Sequence, residues 1–240
     1  MLFASDLDNT LIHSYKAAGP QDICVEVKSG KQLSFMAAEA FLLLKEINKR
    51  CVFVPVTTRS IEQYLRIDLG VSPRYAVAAH GAVLLVDGKI DEQWIYETRQ
   101  MLNVNLPKFS ENEFIFDVRD VDGFFTAAKS KSPQDAVAYL HSVVDTRQFK
   151  ICAVYNKVYV LPNGLDKGLA LERLRKRLRP KTVICAGDSL FDIPMLSIAD
   201  TAIIPGTLKW RNENALILDA DSFALSMLRA VKKAASIQDL

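Results

Sequence analysis

Short apolar runs alternate along this chain with stretches whose apolar residues recur at helical spacing, and that alternation constrains the fold most. Leu2–Ser5 (LFAS), Cys51–Val56 (CVFVPV), Tyr75–Ala79 (YAVAA), Thr182–Ala186 (TVICA) and Thr201–Pro205 (TAIIP) read as buried strands. Pro55 cannot donate to a ladder and marks the end of its strand. Between these runs, Ala40, Phe41, Leu44 and Ile47 share one helical face, and Leu171, Leu174 and Leu178 share another. Ser60 offers a helix N-cap with Gly70 as a stop, FDIPMLSIA forms a short helix, and DSFALSMLRAVKKAA forms a closing amphipathic helix capped by its aspartate. Strands and helices in this order predict a parallel sheet with helices on its faces.

The middle of the chain breaks the rhythm. VLLVDGKIDEQW carries a hairpin signal at Asp87-Gly88, EFIFDV and QFKICAVYN are strand-like, and SPQDAVAYLHSVV is helical. The expectation is a larger α/β unit of residues 1–82 and 157–240, interrupted by a smaller α+β unit of residues 83–156. A second, shorter insertion follows Asp8, where Ile23, Val25 and Val27 alternate before a KSGK turn and predict a projecting hairpin.

Acids and bases nearly balance, at a formal charge of +2 over 240 residues. That balance argues against a dedicated nucleic-acid or membrane-surface protein. The first residues lack a basic region followed by a long apolar run, so no secretory signal is expected. The apolar runs are too short to span a bilayer. Cys24, Cys51, Cys152 and Cys185 stand singly and read as buried thiols of a reducing compartment. A cytoplasmic location is the corresponding expectation.

Polar residues collect just past the expected strand ends, where ligands gather in α/β sheets. Asp6, Asp8 and Thr10 follow the first strand, and Thr57, Thr58 and Arg59 follow the second as candidate phosphate contacts, with pairing to an acid as the competing reading for Arg59. Gly187, Asp188 and Ser189 follow TVICA with Asp192 close behind, and Lys167 opens the preceding helix. Asp6 and Asp8 point to one side of an extended chain, and like charges that close need a cation. Taken alone, the pair also fits a solvated strand end. With Asp188 and Asp192 it forms a hard oxygen set suited to Mg²⁺, which combines few carboxylates with water and phosphate. Lys167, Thr57 and backbone N–H groups could hold phosphoryl oxygens. A carboxylate at Asp6 could attack phosphorus, and Asp8 could move the proton.

DLDNT, VTTRS, LDKG and GDSLFD, in that order, resemble the four motifs of the haloacid dehalogenase-like phosphohydrolase superfamily. The large insert between the second and third motifs is similar to the cap of Cof-type sugar phosphatases and sucrose-phosphatase-like members. The resemblance implies a Rossmann-like parallel-sheet core with an inserted α+β cap, acting on small phosphomonoesters with Mg²⁺ as cofactor. It implies Asp6 as nucleophile, Asp8 as general acid/base, Thr57 as phosphate ligand, Lys167 as charge stabiliser and Asp188 as metal ligand supported by Asp192. Asp6 also belongs to the implied metal set, and Asp8 joins it through its main-chain carbonyl. The chain departs from the Cof-type pattern at Thr58, where Gly is common, at Phe191, where Asn is common, and at His80-Gly81, where Asn-Gly is common.

The expected activity is Mg²⁺-dependent hydrolysis of a small phosphorylated metabolite, a sugar or polyol phosphate, through an aspartyl phosphate. A phosphomutase using the same intermediate is the alternative. A non-catalytic binding module would be expected to lack one of the aspartates. A dehalogenase fits less well, because Asp8 has a task only when a leaving oxygen needs a proton. Asp120 and Asp122 in DVRDVDG mimic the first motif, but no strand-end threonine follows them before Lys167, so they read as a turn in the insert. His80 at a strand end and Trp94 in the insert are candidate substrate contacts, each with packing as the competing reading. RLRKRLRPK (Arg173–Lys181) reads as a solvated basic helix end.

Overall fold

The computed structural model describes residues 1–219 and 222–237. In chain order, β1 spans Leu2–Ser5, β2 His13–Ser14, β3 Ile23–Lys28, β4 Lys31–Met36, α1 Ala38–Ile47, β5 Val52–Pro55 and α2 Ile61–Leu65. Then follow β6 at Tyr75–Ala78, β7 at Val83–Val86, β8 at Lys89–Ile90, α3 at Glu92–Leu102, β9 at Phe116–Val121, β10 at Phe125–Lys129 and α4 at Pro133–Val143. The remainder comprises β11 (Phe149–Val154), β12 (Lys157–Pro162), α5 (Lys167–Leu178), β13 (Val183–Ala186), α6 (Ile193–Ser197), β14 (Thr201–Pro205), β15 (Ala215–Leu218) and α7 (Phe223–Ile237). The aspartate expected to cap α7 lies outside the described residues.

The central sheet has the order β15-β14-β13-β1-β5, with every pairing parallel. Strand alternation sends Leu2 and Ala4 to one face and Phe3 to the other. Leu2 and Ala4 join a core with Val54, Leu171, Leu174, Val183, Cys185 and Met195, under α5 and α6. Phe3 joins a second with Phe53, Leu44, Ile47, Ile184 and Met227, under α1 and α7. Both faces are therefore covered, as an all-parallel sheet requires. The chain leaves β1 toward β5 on one side and reaches β13 on the other, so β1 and β13 flank a topological switch point.

A second sheet, order β11-β12-β10-β9, is antiparallel. One face packs Ala128, Ile151, Val158 and Val160 against Ala136 and Leu140 of α4. The other carries Phe125, Tyr159 and Leu161, which meet Ala78, Val83 and Phe191 of the larger unit. The Phe191 ring lies edge-on to His80 at 4.9 Å and to Tyr159 at 5.0 Å. Two of the departures from the Cof-type pattern thus belong to one aromatic contact between the units. The expected boundary at residue 156 falls inside the β11–β12 turn. The expected hairpin at Asp87-Gly88 forms, with both residues at positive φ, but β7 pairs with β6, and Trp94 of α3 sits in the main core. Helix α3 and strand β15 carry no signal that sequence patterning marked.

The hairpin β3–β4 projects after Asp8 as expected, yet its alternation is broken after Val25 by register shifts at Cys24/Glu26 and Glu26/Val27. Val25 is buried, Val27 is exposed, and Glu26 is buried instead. A β-bulge re-aims side chains in this way. Of the cysteines, all free, only Cys185 is fully buried, the other three being half-buried. No helix among the described residues is long and apolar enough to cross a membrane.

Candidate active site

Register brings the three strand ends together. Ser5 pairs with Ala186 on one side and Pro55 on the other, so Asp6, Gly187-Asp188 and Val56-Thr57 emerge side by side. The Asp6 N–H donates to the Ala186 carbonyl at 2.9 Å, which extends the ladder into the site. Helix α5 starts beneath them. Its N-cap, Asp166, accepts from the Leu169 N–H at 2.8 Å, and Lys167 is the first helical residue. Gly81, at φ +108°, lets the chain run against the Asp166 carbonyl, where a Cβ would come within 2.5 Å.

Lys167 is buried and bridges two carboxylates, donating to Asp6 Oδ1 at 2.5 Å and Asp192 Oδ1 at 2.6 Å. Burial works against the ammonium charge, but Asp192 and Asp6 overcome it and hold Lys167 above its ordinary range. Burial pushes the Asp6 carboxyl up, and Asp192, Asp8 and Asp188 push the same way against Lys167. The second Asp192 oxygen accepts from the Asp188 and Ser189 N–H groups and from the Ser189 hydroxyl, at 2.7–3.2 Å. Asp192 thereby ties the loop after β13 to Lys167. Gly187 makes room for it, since a Cβ there would overlap the Asp192 side chain.

Asp188 accepts from the Thr10 hydroxyl at 3.1 Å. Burial first and then Asp192 push its carboxyl up to about 6. Asp6, Asp188 and Asp192 each offer an oxygen within 4.8 Å of the others. This is a hard donor set with more negative charge than Lys167 neutralises, and it fits a divalent cation such as Mg²⁺. Both Asp192 oxygens already accept hydrogen bonds, so Asp6 and Asp188 are the better-placed ligands and Asp192 orders them.

Asp8 reaches into the cleft and is gripped by Arg59, whose Nε and Nη2 donate to its two oxygens at 2.7 Å each. Burial works against the Asp8 charge, yet this two-point hydrogen bond prevails and lowers its carboxyl. Arg59 also donates to buried Glu26 at 2.7 Å, and Arg66 and Ser34 bind the same carboxylate. Neither Glu26 nor Arg66 stood out in the sequence. Alternation pointed Glu26 outward, and only the bulges in β3 turn it in.

The sequence candidates therefore divide. Asp6, Asp8, Lys167, Asp188 and Asp192 come together; Thr58 and Arg59 line the same cleft, although Arg59 is engaged by carboxylates. Thr57 is fully buried behind the lining, where its hydroxyl accepts the Arg59 N–H at 3.1 Å. His80 is buried against Phe191 and Phe125, and burial pulls its imidazole down to about 3, so it stays neutral. Trp94 donates to the Gly81 carbonyl and carries Arg173 over its ring, a packing role. Asp120 accepts the Gly123 N–H in a turn, and Asp122 accepts the Ile61 N–H at 2.8 Å, joining that turn to the larger unit. Arg173, Arg175 and Arg177 of α5 pair with Glu97, Asp200 and Asp91.

Several solved structures share this architecture. The sucrose-phosphatase from Synechocystis sp., determined with sucrose and phosphate, is 17% identical, with 97% of each chain covered and a TM-score of 0.67. A trehalose-6-phosphate phosphatase related protein is 16% identical over 99% of this chain and 98% of its own, at a TM-score of 0.61. A haloacid dehalogenase-like hydrolase from B. subtilis is 16% identical over 96% and 98%, at 0.60. At these identities the likeness is one of fold. No curated protein matches the sequence. The family model for haloacid dehalogenase-like hydrolases matches residues 87–206, half of the chain, including Lys167, Asp188 and Asp192. By this match, the chain belongs to the haloacid dehalogenase-like hydrolases.

Proposed function

We propose that the protein is a phosphatase that hydrolyses small phosphomonoesters, of the sugar or polyol phosphate kind, through an aspartyl phosphate on Asp6. One observation carries this reading: a buried carboxylate at a strand end, held by Lys167 and flanked by a second carboxylate on the cleft side. In the first step an Asp6 oxygen bonds to phosphorus as the ester P–O bond breaks, and Asp8 delivers a proton to the leaving oxygen. In the second, Asp8 takes a proton from water, the water oxygen bonds to phosphorus, and Asp6 is released with inorganic phosphate. Arg59 favours the ionised form of Asp8, so one of its hydrogen bonds is exchanged during the acid step. Lys167 faces the charge that builds on the phosphoryl oxygens. Bound at Asp6, Asp188 and the Asp8 carbonyl, Mg²⁺ would supply further charge neutralisation. The antiparallel unit of β9–β12 and α4 serves as a cap that excludes bulk water. We place the sucrose-phosphatase and the trehalose-6-phosphate phosphatase related protein behind the choice of substrate class, as analogies of fold.

The test is phosphate release from a panel of sugar and polyol phosphates with Mg²⁺. Asp6→Asn is expected to lower turnover at least about a thousandfold while leaving the fold intact, and excess chelator is expected to stop the parent enzyme. Turnover by a clean Asp6→Asn preparation at the parent rate would assign the chemistry elsewhere. Isomerised sugar phosphate without phosphate release would indicate a mutase.

A further inference from the structure

The cleft, of about 840 Å³, is roofed by the antiparallel sheet. Along β10 and β12 the cleft-facing side is apolar at Phe125, Ala127 and Tyr159, then turns cationic toward the β11–β12 turn. Lys129 and Lys157 are direct cross-strand partners on this face, and Arg119 pairs with neighbouring Ala127. Like charges directly opposite one another destabilise a sheet. Asp117, set by a register shift in β9, pairs with Arg119 at 2.6 Å and Lys129 at 2.7 Å. Among the described residues no carboxylate is left for Lys157. Eight Lys and Arg side chains line the cleft against five Asp and Glu, a surplus of cations even with the catalytic aspartates included. Two of the three surplus cations sit on the roof, where Arg119, Lys129 and Lys157 meet Asp117 alone; Lys16 and Lys28 line the cleft from the segment after Asp8, and Lys167 and Arg59 are spoken for on the floor.

We infer that Lys157, with Lys129 and Arg119 beside it, binds a second anionic group of the substrate, at the end away from the scissile phosphoryl group. This rests on the phosphatase reading and sharpens it: the preferred ester carries a carboxylate or a further phosphate on its sugar or polyol portion. A neutral-tailed ester leaves the paired lysines repelling each other, whereas an anionic tail relieves that repulsion on binding. The Lys157 ammonium is pulled down, first by burial and then by Arg59, Lys129 and Arg119, against the pull of Asp8, in keeping with a cation short of counter-charge.

The experiment compares phosphate release by the full chain with Mg²⁺ from matched esters: glycerol phosphate against phosphoglycerate, and glucose phosphate against phosphogluconate and glucose bisphosphate. The expected result is a kcat/KM at least about tenfold higher for an anion-tailed ester than for its neutral match. The two acidic esters separate carboxylate from phosphate. Lys157→Glu is expected to reverse the preference and Lys157→Arg to keep it. Equal or better turnover of the neutral esters overturns the inference, as does Lys157→Glu slowing both kinds alike. Inactivity toward every ester, nitrophenyl phosphate included, overturns the phosphatase reading and the inference with it.

Discussion

On the floor of the cleft, Lys167 lies buried between Asp6 and Asp192, and Arg59 lies between Asp8 and Glu26. On its roof, Arg119 and Lys129 share Asp117, and Lys157 faces the cleft without an acid. The contrast follows from solvent. A charge withdrawn from water costs several kcal/mol unless a partner offsets it, so on the floor Lys167 and Arg59 are closed into pairs, and Asp188 keeps only the Thr10 hydroxyl. The Lys157 side chain is exposed to the cleft, and although the atoms around it pull its ammonium down, leaving it unpaired costs less there than on the floor, so the roof can hold one cation in reserve. The closed pairs hold Asp6 and Asp8 in place, and Lys157 is left without an acid.

Three stability measurements press on that difference. Lys167→Met, which strands Asp6 and Asp192 without a counter-charge, is expected to cost about 3–5 kcal/mol in urea unfolding at neutral pH. Lys167 is held above its ordinary 10.5, so its contribution is fully present below that pH and is lost only as pH rises through the higher folded value. A loss under 1 kcal/mol would mean that the floor is not a closed pair. Glu26→Gln is next, at about 2–3 kcal/mol, through hydrogen bonds to Arg59, Arg66 and Ser34. Burial opposes the Glu26 charge, but those bonds lower its carboxyl below the ordinary 4.5. Its contribution is therefore present above about 4.5 and fades as pH falls through the depressed folded value, where variant and parent should converge. Lys157→Met should move stability least, within about 0.5 kcal/mol and toward greater stability, since it removes a like-charge pair. A large loss there would make Lys157 a structural residue and erase the floor–roof distinction.

The floor was legible because its parts are local. Asp6 and Asp8 follow a strand, Lys167 opens a helix and Asp188 follows another strand; period and chain direction put such residues at one edge of a parallel sheet. Arg59 was legible as a site residue but not in its partners, because Glu26 faces inward only through two register shifts. The roof was hidden for the same kind of reason. Lys129 and Lys157 are far apart in sequence, and the strands holding them were not marked as partners. Trp94 was assigned to the insert because its hairpin resembles the strands that follow, whereas packing under Leu84 and Leu174 draws it into the main core.

By itself, the sequence determined the order of most strands and helices, the parallel core apart from β15, and the five residues at its switch point, since each follows from local pattern and chain direction. Tertiary structure decided which way Glu26 points, which carboxylates Arg59 grips, and that Lys157 stands opposite Lys129 over the cleft. Those outcomes depend on strand register, where a shift of one residue exchanges the two faces of a strand and leaves local composition unchanged.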